Sequence, residues 1–103
     1  MSSGKLSHTV AILLKALSLG YQFGFEIMDI TGLPSGTVYP ALRRLERDGL
    51  VLSHWEDEAE ALKEQRPARR YYVLTRPGKE AESTATQRYP LLTRLLPEKW
   101  VKT

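Results

Sequence analysis

The sequence predicts a mainly helical domain with a small β-hairpin, in the order helix, helix, helix, strand, strand, helix, the last helix being available for dimerisation. Three observations carry this. Apolar residues recur at helical spacing in successive segments of the first half. The period then shortens to that of strands in two stretches rich in β-branched and aromatic residues. Finally, Thr75 followed by Pro77 forms the opening of one more helix, a capping residue with proline in the first turn.

The first helix is expected over residues 6–19, where Leu6, Val10, Leu13, Leu14 and Leu17 share a stripe, with Ser7 near its start and Gly20 just past its end. A second helix is expected over 21–31, with Phe23, Ile27 and Ile30, or Phe25 and Met28, facing inward. Gly24 costs that helix roughly 1 kcal/mol against alanine, so its presence fits a close helix contact. Gly32 suits the stop before a third helix over about 35–48, which Gly49 ends in a left-handed conformation. Val38, Ala41, Leu42 and Leu45 form its apolar face. Its cap is either Ser35 or Thr37. With Thr37, Pro40 falls in the first turn at little cost; with Ser35, one helical hydrogen bond is lost.

Leu50-Val51-Leu52-Ser53-His54-Trp55 and Arg70-Tyr71-Tyr72-Val73-Leu74 then read as the two strands of a hairpin, with Trp55 and Tyr72 in its core. The connection holds five of the twelve acidic residues, at Glu56, Asp57, Glu58, Glu60 and Glu64, and turns basic at Arg66, Arg69 and Arg70. A solvated, mobile tip is the expected form of the acidic half. In the last helix Glu80 and Glu82 suit the early turns, and Pro90 breaks or kinks it. Beyond lies a tail more apolar than a small monomer should expose, and Leu91, Leu92, Leu95, Leu96 and Trp100 are assigned to a dimer interface.

A chain of 103 residues has room for one domain, and one this short often supplements its core by oligomerising. It has no cysteine, which removes disulfides and thiolate metal sites and fits a reducing, cytoplasmic setting. The net charge of +3 permits a polyanion partner without requiring one. Lys5 followed by Val10-Ala11-Ile12-Leu13-Leu14 imitates a secretory signal, but Lys15 interrupts it, and no apolar run approaches the ~18–20 residues needed to span a bilayer. A soluble protein with its N-terminus retained and no membrane partner is expected. His8 and His54 stand apart without metal-ligand or catalytic spacing, and phosphate loops, nucleophile elbows and metalloprotease motifs are absent. Hence no catalytic residue, metal or cofactor is assigned.

Function is carried by Gly32-Leu33-Pro34-Ser35-Gly36-Thr37-Val38-Tyr39-Pro40-Ala41-Leu42-Arg43-Arg44-Leu45-Glu46-Arg47-Asp48-Gly49-Leu50-Val51. A tight turn feeds an amphipathic helix that keeps Thr37, Tyr39, Arg43, Arg44 and Arg47 off its apolar face, as a DNA-recognition helix does. On an ordinary surface helix these arginines would be solvated and paired with Glu46 or Asp48. A second basic segment on the hairpin favours a nucleic-acid role instead. The run resembles that of PadR-type winged-helix transcriptional regulators, and so do Gly24-Phe25-Glu26-Ile27 upstream and Arg69-Arg70-Tyr71-Tyr72-Val73-Leu74-Thr75 downstream. The likeness covers roughly residues 6 to 82.

That resemblance implies a winged helix-turn-helix fold and a homodimer, most often a repressor, bound to double-stranded DNA at a pseudo-palindromic operator. It places Ser35, Thr37 and Tyr39 at the bases, and Arg69 and Arg70 of the wing at phosphates. Arg43 and Arg44 suit either contact, since guanidinium binds guanine or phosphate bidentately; Arg43 is assigned to base reading, and Arg44 with Arg47 to phosphate. Tyr39 has a competing role as a lid on the core. Residues 1–76 would form the DNA-binding winged helix and 77–103 the dimerisation helix and tail. In some short relatives flat aromatic molecules lodge between protomers, which here would place a small aromatic effector at the dimer interface beside Trp100. The rival reading is a winged helix used as a protein-interaction or assembly module, docking through the acidic loop and apolar tail.

Overall fold

A computed structural model describes residues 7–91 of the chain. Its elements are α1 (His8–Ser18), α2 (Gly24–Thr31), α3 (Ser35–Arg47), β1 (Val51–Trp55), α4 (Glu58–Lys63), β2 (Arg70–Leu74) and α5 (Arg76–Arg88). The three expected helices, the hairpin and the later helix are all present, with α4 added between the strands.

Ser7 caps α1, its hydroxyl accepting from the Val10 N–H at 3.2 Å. The helix buries Val10, Ala11, Leu13, Leu14, Ala16 and Leu17. Helix α2 starts three residues later than expected because 21–23 runs extended beside the sheet: Gln22 accepts from the Tyr72 N–H at 2.9 Å, and Phe23 forms an antiparallel bridge to Tyr71. Gly32 ends α2 at φ +76°. Only then does α3 begin, and neither Ser35 nor Thr37 caps it; Pro34 stands at the cap, and its carbonyl accepts from the N–H groups of Thr37 and Val38 at 2.9 and 3.0 Å. Pro40 therefore lies inside the helix, and the carbonyl of exposed Gly36 lacks its usual donor four residues on. Val38, Ala41, Leu42 and Leu45 are buried as the periodicity requires. With Leu13, Leu14, Ile27 and Val51 they make the centre of one core.

The strands pair antiparallel from Val51 opposite Leu74 to Trp55 opposite Arg70. Tyr72 is buried, opposite Ser53. Trp55 is not a core residue: it is 62% exposed at the end of the hairpin, opposite Arg70, whose guanidinium lies over its ring. In the connection Asp57, Glu58, Glu60 and Glu64 are solvated as expected, on a segment that also carries a short helix. Asp57 caps the short α4 by accepting from the Ala59 N–H at 3.1 Å, and Ala61 is buried beneath it. The Glu56 carboxylate takes both terminal nitrogens of Arg66, at 2.5 and 2.8 Å, and accepts from the Arg69 N–H at 3.2 Å. Those charge-assisted bonds, from Arg66 first, hold Glu56 down at a pKa of about 2 against burial, and raise that of Arg66. The acidic start and basic return of the connection thus close on each other.

Thr75 caps α5 as expected, accepting from the Gly78 N–H at 3.1 Å while its hydroxyl donates to the Gly49 carbonyl at 2.6 Å. Gly78 is required by approach rather than by conformation, because a Cβ there would strike the Leu50 carbonyl. Helix α5 packs along α1, with Lys15 and Glu82 paired at 3.0 Å between them, and ends at Arg88 before Pro90. Among the described residues no helix is long and apolar enough to cross a membrane.

Candidate nucleic-acid interface

The start of α3 stands clear of the core on one side. Ser35 and Gly36 are exposed, Thr37 is half-buried, and Tyr39 is exposed at the margin of the α2–α3 contact. Gly24 makes that contact: a Cβ at this position would overlap the Tyr39 ring. Tyr39 is thereby wedged against the first turn of α2, so its structural role and a part-exposed surface coexist in one side chain.

Further along α3, Arg43, Arg44 and Arg47 line an open groove of about 600 Å³ with Pro40, Glu46, Arg70 and Tyr72. Three guanidinium groups come from the helix and one from β2, so the groove runs between helix and hairpin. Burial raises the pKa of the Tyr72 phenol at its floor, partly offset by the charge of Arg70. Arg70 is held in place. Its Nε and Nη2 donate to Ser53 Oγ at 3.0 and 2.8 Å, the Ser53 hydroxyl donates to Glu46 Oε2 at 2.6 Å, and Nη2 lies 3.7 Å from Glu46 Oε1. The guanidinium also sits over the Trp55 ring, 5.4 Å from its centroid.

Arg69 does not share this groove. Its guanidinium lies over the rings of Phe23 and Phe25, at 4.8 and 4.5 Å, and Phe23 in turn meets Tyr71 edge-on. The reason is the pleat: neighbouring residues along an extended chain face opposite sides. Of the eight side chains assigned to DNA from the sequence, Arg43, Arg44, Arg47 and Arg70 are brought together, Ser35, Thr37 and Tyr39 occupy the adjoining end of the same helix, and Arg69 is turned away. The sequence does not single out Ser53, and it offers Glu46 only as an ion-pair partner of the helix arginines. The signal for both is the strand register, which places Ser53 diagonal to Arg70 on the face toward α3, and register is not readable from residue types alone.

Leu91 is exposed. Leu92, Leu95, Leu96 and Trp100, with the aromatic effector expected beside Trp100, lie outside the described residues. Among the described residues no group of three His, Cys, Asp or Glu side chains is placed to hold a metal ion.

A family model described as the transcriptional regulator PadR-like family matches residues 13–84, which include α2, α3, the hairpin and most of α5. No curated protein matches the chain. Several solved structures share its fold. A PadR family transcription regulator from Clostridium difficile R20291 is similar over 86% of this chain and 94% of its own, with 24% identity and a TM-score of 0.71. A transcriptional regulator from Clostridium thermocellum is similar over 88% and 94%, with 23% identity and a TM-score of 0.65. The adhesin competence repressor of Streptococcus pyogenes aligns over 96% of this chain and 72% of its own, with 19% identity and a TM-score of 0.67.

Proposed function

Because the chain belongs to the PadR-like family of transcriptional regulators, we propose that it acts as a homodimeric repressor whose two α3 helices enter successive major grooves of a pseudo-palindromic operator. The observation that carries this reading is the gathering of Arg43, Arg44, Arg47 and Arg70 on one groove beside the exposed start of α3. Such an arrangement offers phosphate contacts from two elements at once and leaves short polar side chains free to meet base edges. Ser35, Thr37, Tyr39 and Arg43 read bases; Arg44, Arg47 and Arg70 hold phosphates. The tail from Leu91 through Trp100 joins the protomers, and the bound dimer blocks access of polymerase to the promoter.

Selection of bound duplexes from a random pool tests the reading. A palindromic consensus is expected, to which Thr37→Ala and Tyr39→Ala bind with discrimination reduced by about 1–3 kcal/mol per lost base contact. No enrichment of any sequence would refute it. Equal losses on selected and random duplexes would remove the two residues from base reading.

A further inference from the structure

Among the described residues Glu46 is the one carboxylate lining a groove that otherwise presents four guanidinium groups. A carboxylate there opposes the approach of any phosphate, so its position calls for a function. The hydrogen-bond inventory fixes what it does. Arginine only donates, an ionised carboxylate only accepts, and the Ser53 hydroxyl has one proton and two lone pairs. With Arg70 Nε and Nη2 both directed at Ser53 Oγ, the hydroxyl proton can go only to Glu46 Oε2. The chain of bonds therefore runs one way, from Arg70 through Ser53 to Glu46. At 3.7 Å, Glu46 Oε1 is too far from Arg70 Nη2 for a hydrogen bond, so the carboxylate balances the cation without consuming its remaining donors. Both side chains stay partly open, Glu46 at 33% and Arg70 at 44% exposure, and no bond among the described residues engages Nη1.

We infer that Glu46 is a positioning residue that sets specificity: through Ser53 it fixes the reach of Arg70 from the recognition helix, and its charge discounts phosphate contacts made in any other register. This rests on the DNA-binding reading above. Sequence-independent binding is driven by phosphate neutralisation and counterion release, so a carboxylate beside one of the four cations weakens it directly. The matched complex is compensated, because an anchored guanidinium loses little freedom when a phosphate arrives at the one distance that a fully seated α3 allows. Selectivity then comes partly from a repulsive element, as specific interfaces commonly arrange.

Two substitutions separate charge from anchor. Glu46→Gln keeps an acceptor for the Ser53 hydroxyl and removes the charge; Ser53→Ala keeps the charge and removes the anchor. Each is titrated over salt against a selected duplex and a random-sequence duplex, with Arg44→Ala alongside. Glu46→Gln is expected to bind random DNA about twofold to fivefold tighter, the upper end being the effect of one unit charge about 4 Å away in bulk water. Its salt dependence should steepen by about one counterion per protomer, with a smaller ratio of selected to random affinity. Ser53→Ala should weaken the selected complex while leaving random DNA within about twofold, since only the matched complex uses the fixed reach. A residue that merely supported the fold would lower melting temperature and weaken both complexes together, and that outcome overturns the inference. So does Glu46→Gln binding random DNA as the wild type does while Arg44→Ala loses affinity for both duplexes; the interface then stands and the role of Glu46 is wrong. If Arg44→Ala and Glu46→Gln both match the wild type, the DNA-binding groove itself is misplaced.

Discussion

Arg69 and Arg70 are adjacent in sequence and separated by the sheet, so substituting each alone should give different results on DNA. Arg70 lies in the groove with Arg43, Arg44 and Arg47. Each lost phosphate contact makes the slope of log affinity against log salt shallower by about 0.9, and a dimer loses two contacts, or about 1.8. Between 50 and 200 mM salt, a fourfold change, this amounts to about a tenfold difference in how far affinity falls. Arg70→Ala should therefore bind more weakly at low salt and converge on the wild type as salt rises. Arg69→Ala should leave the slope unchanged, because its guanidinium lies outside the groove, over Phe23 and Phe25. Its cost is structural, on the order of 0.5–1 kcal/mol for a cation over an aromatic face near the surface. Fluorescence anisotropy of a labelled duplex across a salt series, with thermal unfolding in parallel, measures both. Equal slopes for the two variants, or a larger change for Arg69→Ala, would refute the assignment of the groove face.

Three further outcomes are expected. Gly24→Ala should destabilise the wild type by about 1–3 kcal/mol through overpacking against Tyr39, and cost far less in a Tyr39→Ala background; equal costs in both backgrounds, read by chemical denaturation, would show that Tyr39 is not the obstacle. The Glu56 carboxylate has its pKa lowered from 4.5 to about 2 by Arg66, so its contribution to stability is complete above pH 4.5 and is lost as pH falls towards 2. Melting temperature should accordingly fall less over that interval in Glu56→Gln than in the wild type, and parallel curves would contradict the pairing. Truncation after Tyr89 should give a less stable monomer at micromolar concentration, with affinity for a palindrome reduced far more than for a half-site; a truncated chain that still sediments as a dimer would move the interface elsewhere.

Much of the architecture was legible because the determining features are local. The stripe from Val10 to Leu17, the caps at Ser7 and Thr75, and the glycines at 20, 32 and 49 act within a few residues of themselves, and each appears where it was expected. Gly24 was correctly read as a close-contact residue, although its partner Tyr39 could not be named from spacing. Two of the misreadings involve pairing across the chain. Whether Trp55 is buried depends on what its end of the hairpin meets, and whether Glu56 is solvated depends on where Arg66 returns. The cap of α3 is a local misreading: Pro34 supplies the first carbonyl, so the helix begins before either hydroxyl is in a capping position. For the interface, residue types identify the basic helix and the pleat sets Arg69 and Arg70 on opposite faces, but only the register shows which face meets α3 and brings Ser53 and Glu46 to Arg70.

Chemical-shift mapping distinguishes DNA seated along the groove between α3 and β2 from DNA seated elsewhere. Amide and arginine side-chain resonances of the labelled protein would be followed while a duplex selected from a random pool is added. The largest changes are expected at Ser35, Thr37, Tyr39, Arg43, Arg44, Arg47 and Arg70, with Ser53 responding through its bonds to Arg70. Changes concentrated instead on Phe23, Phe25, Arg69 and Tyr71, with α3 silent, would place the nucleic acid on the opposite face of the sheet and contradict that expectation.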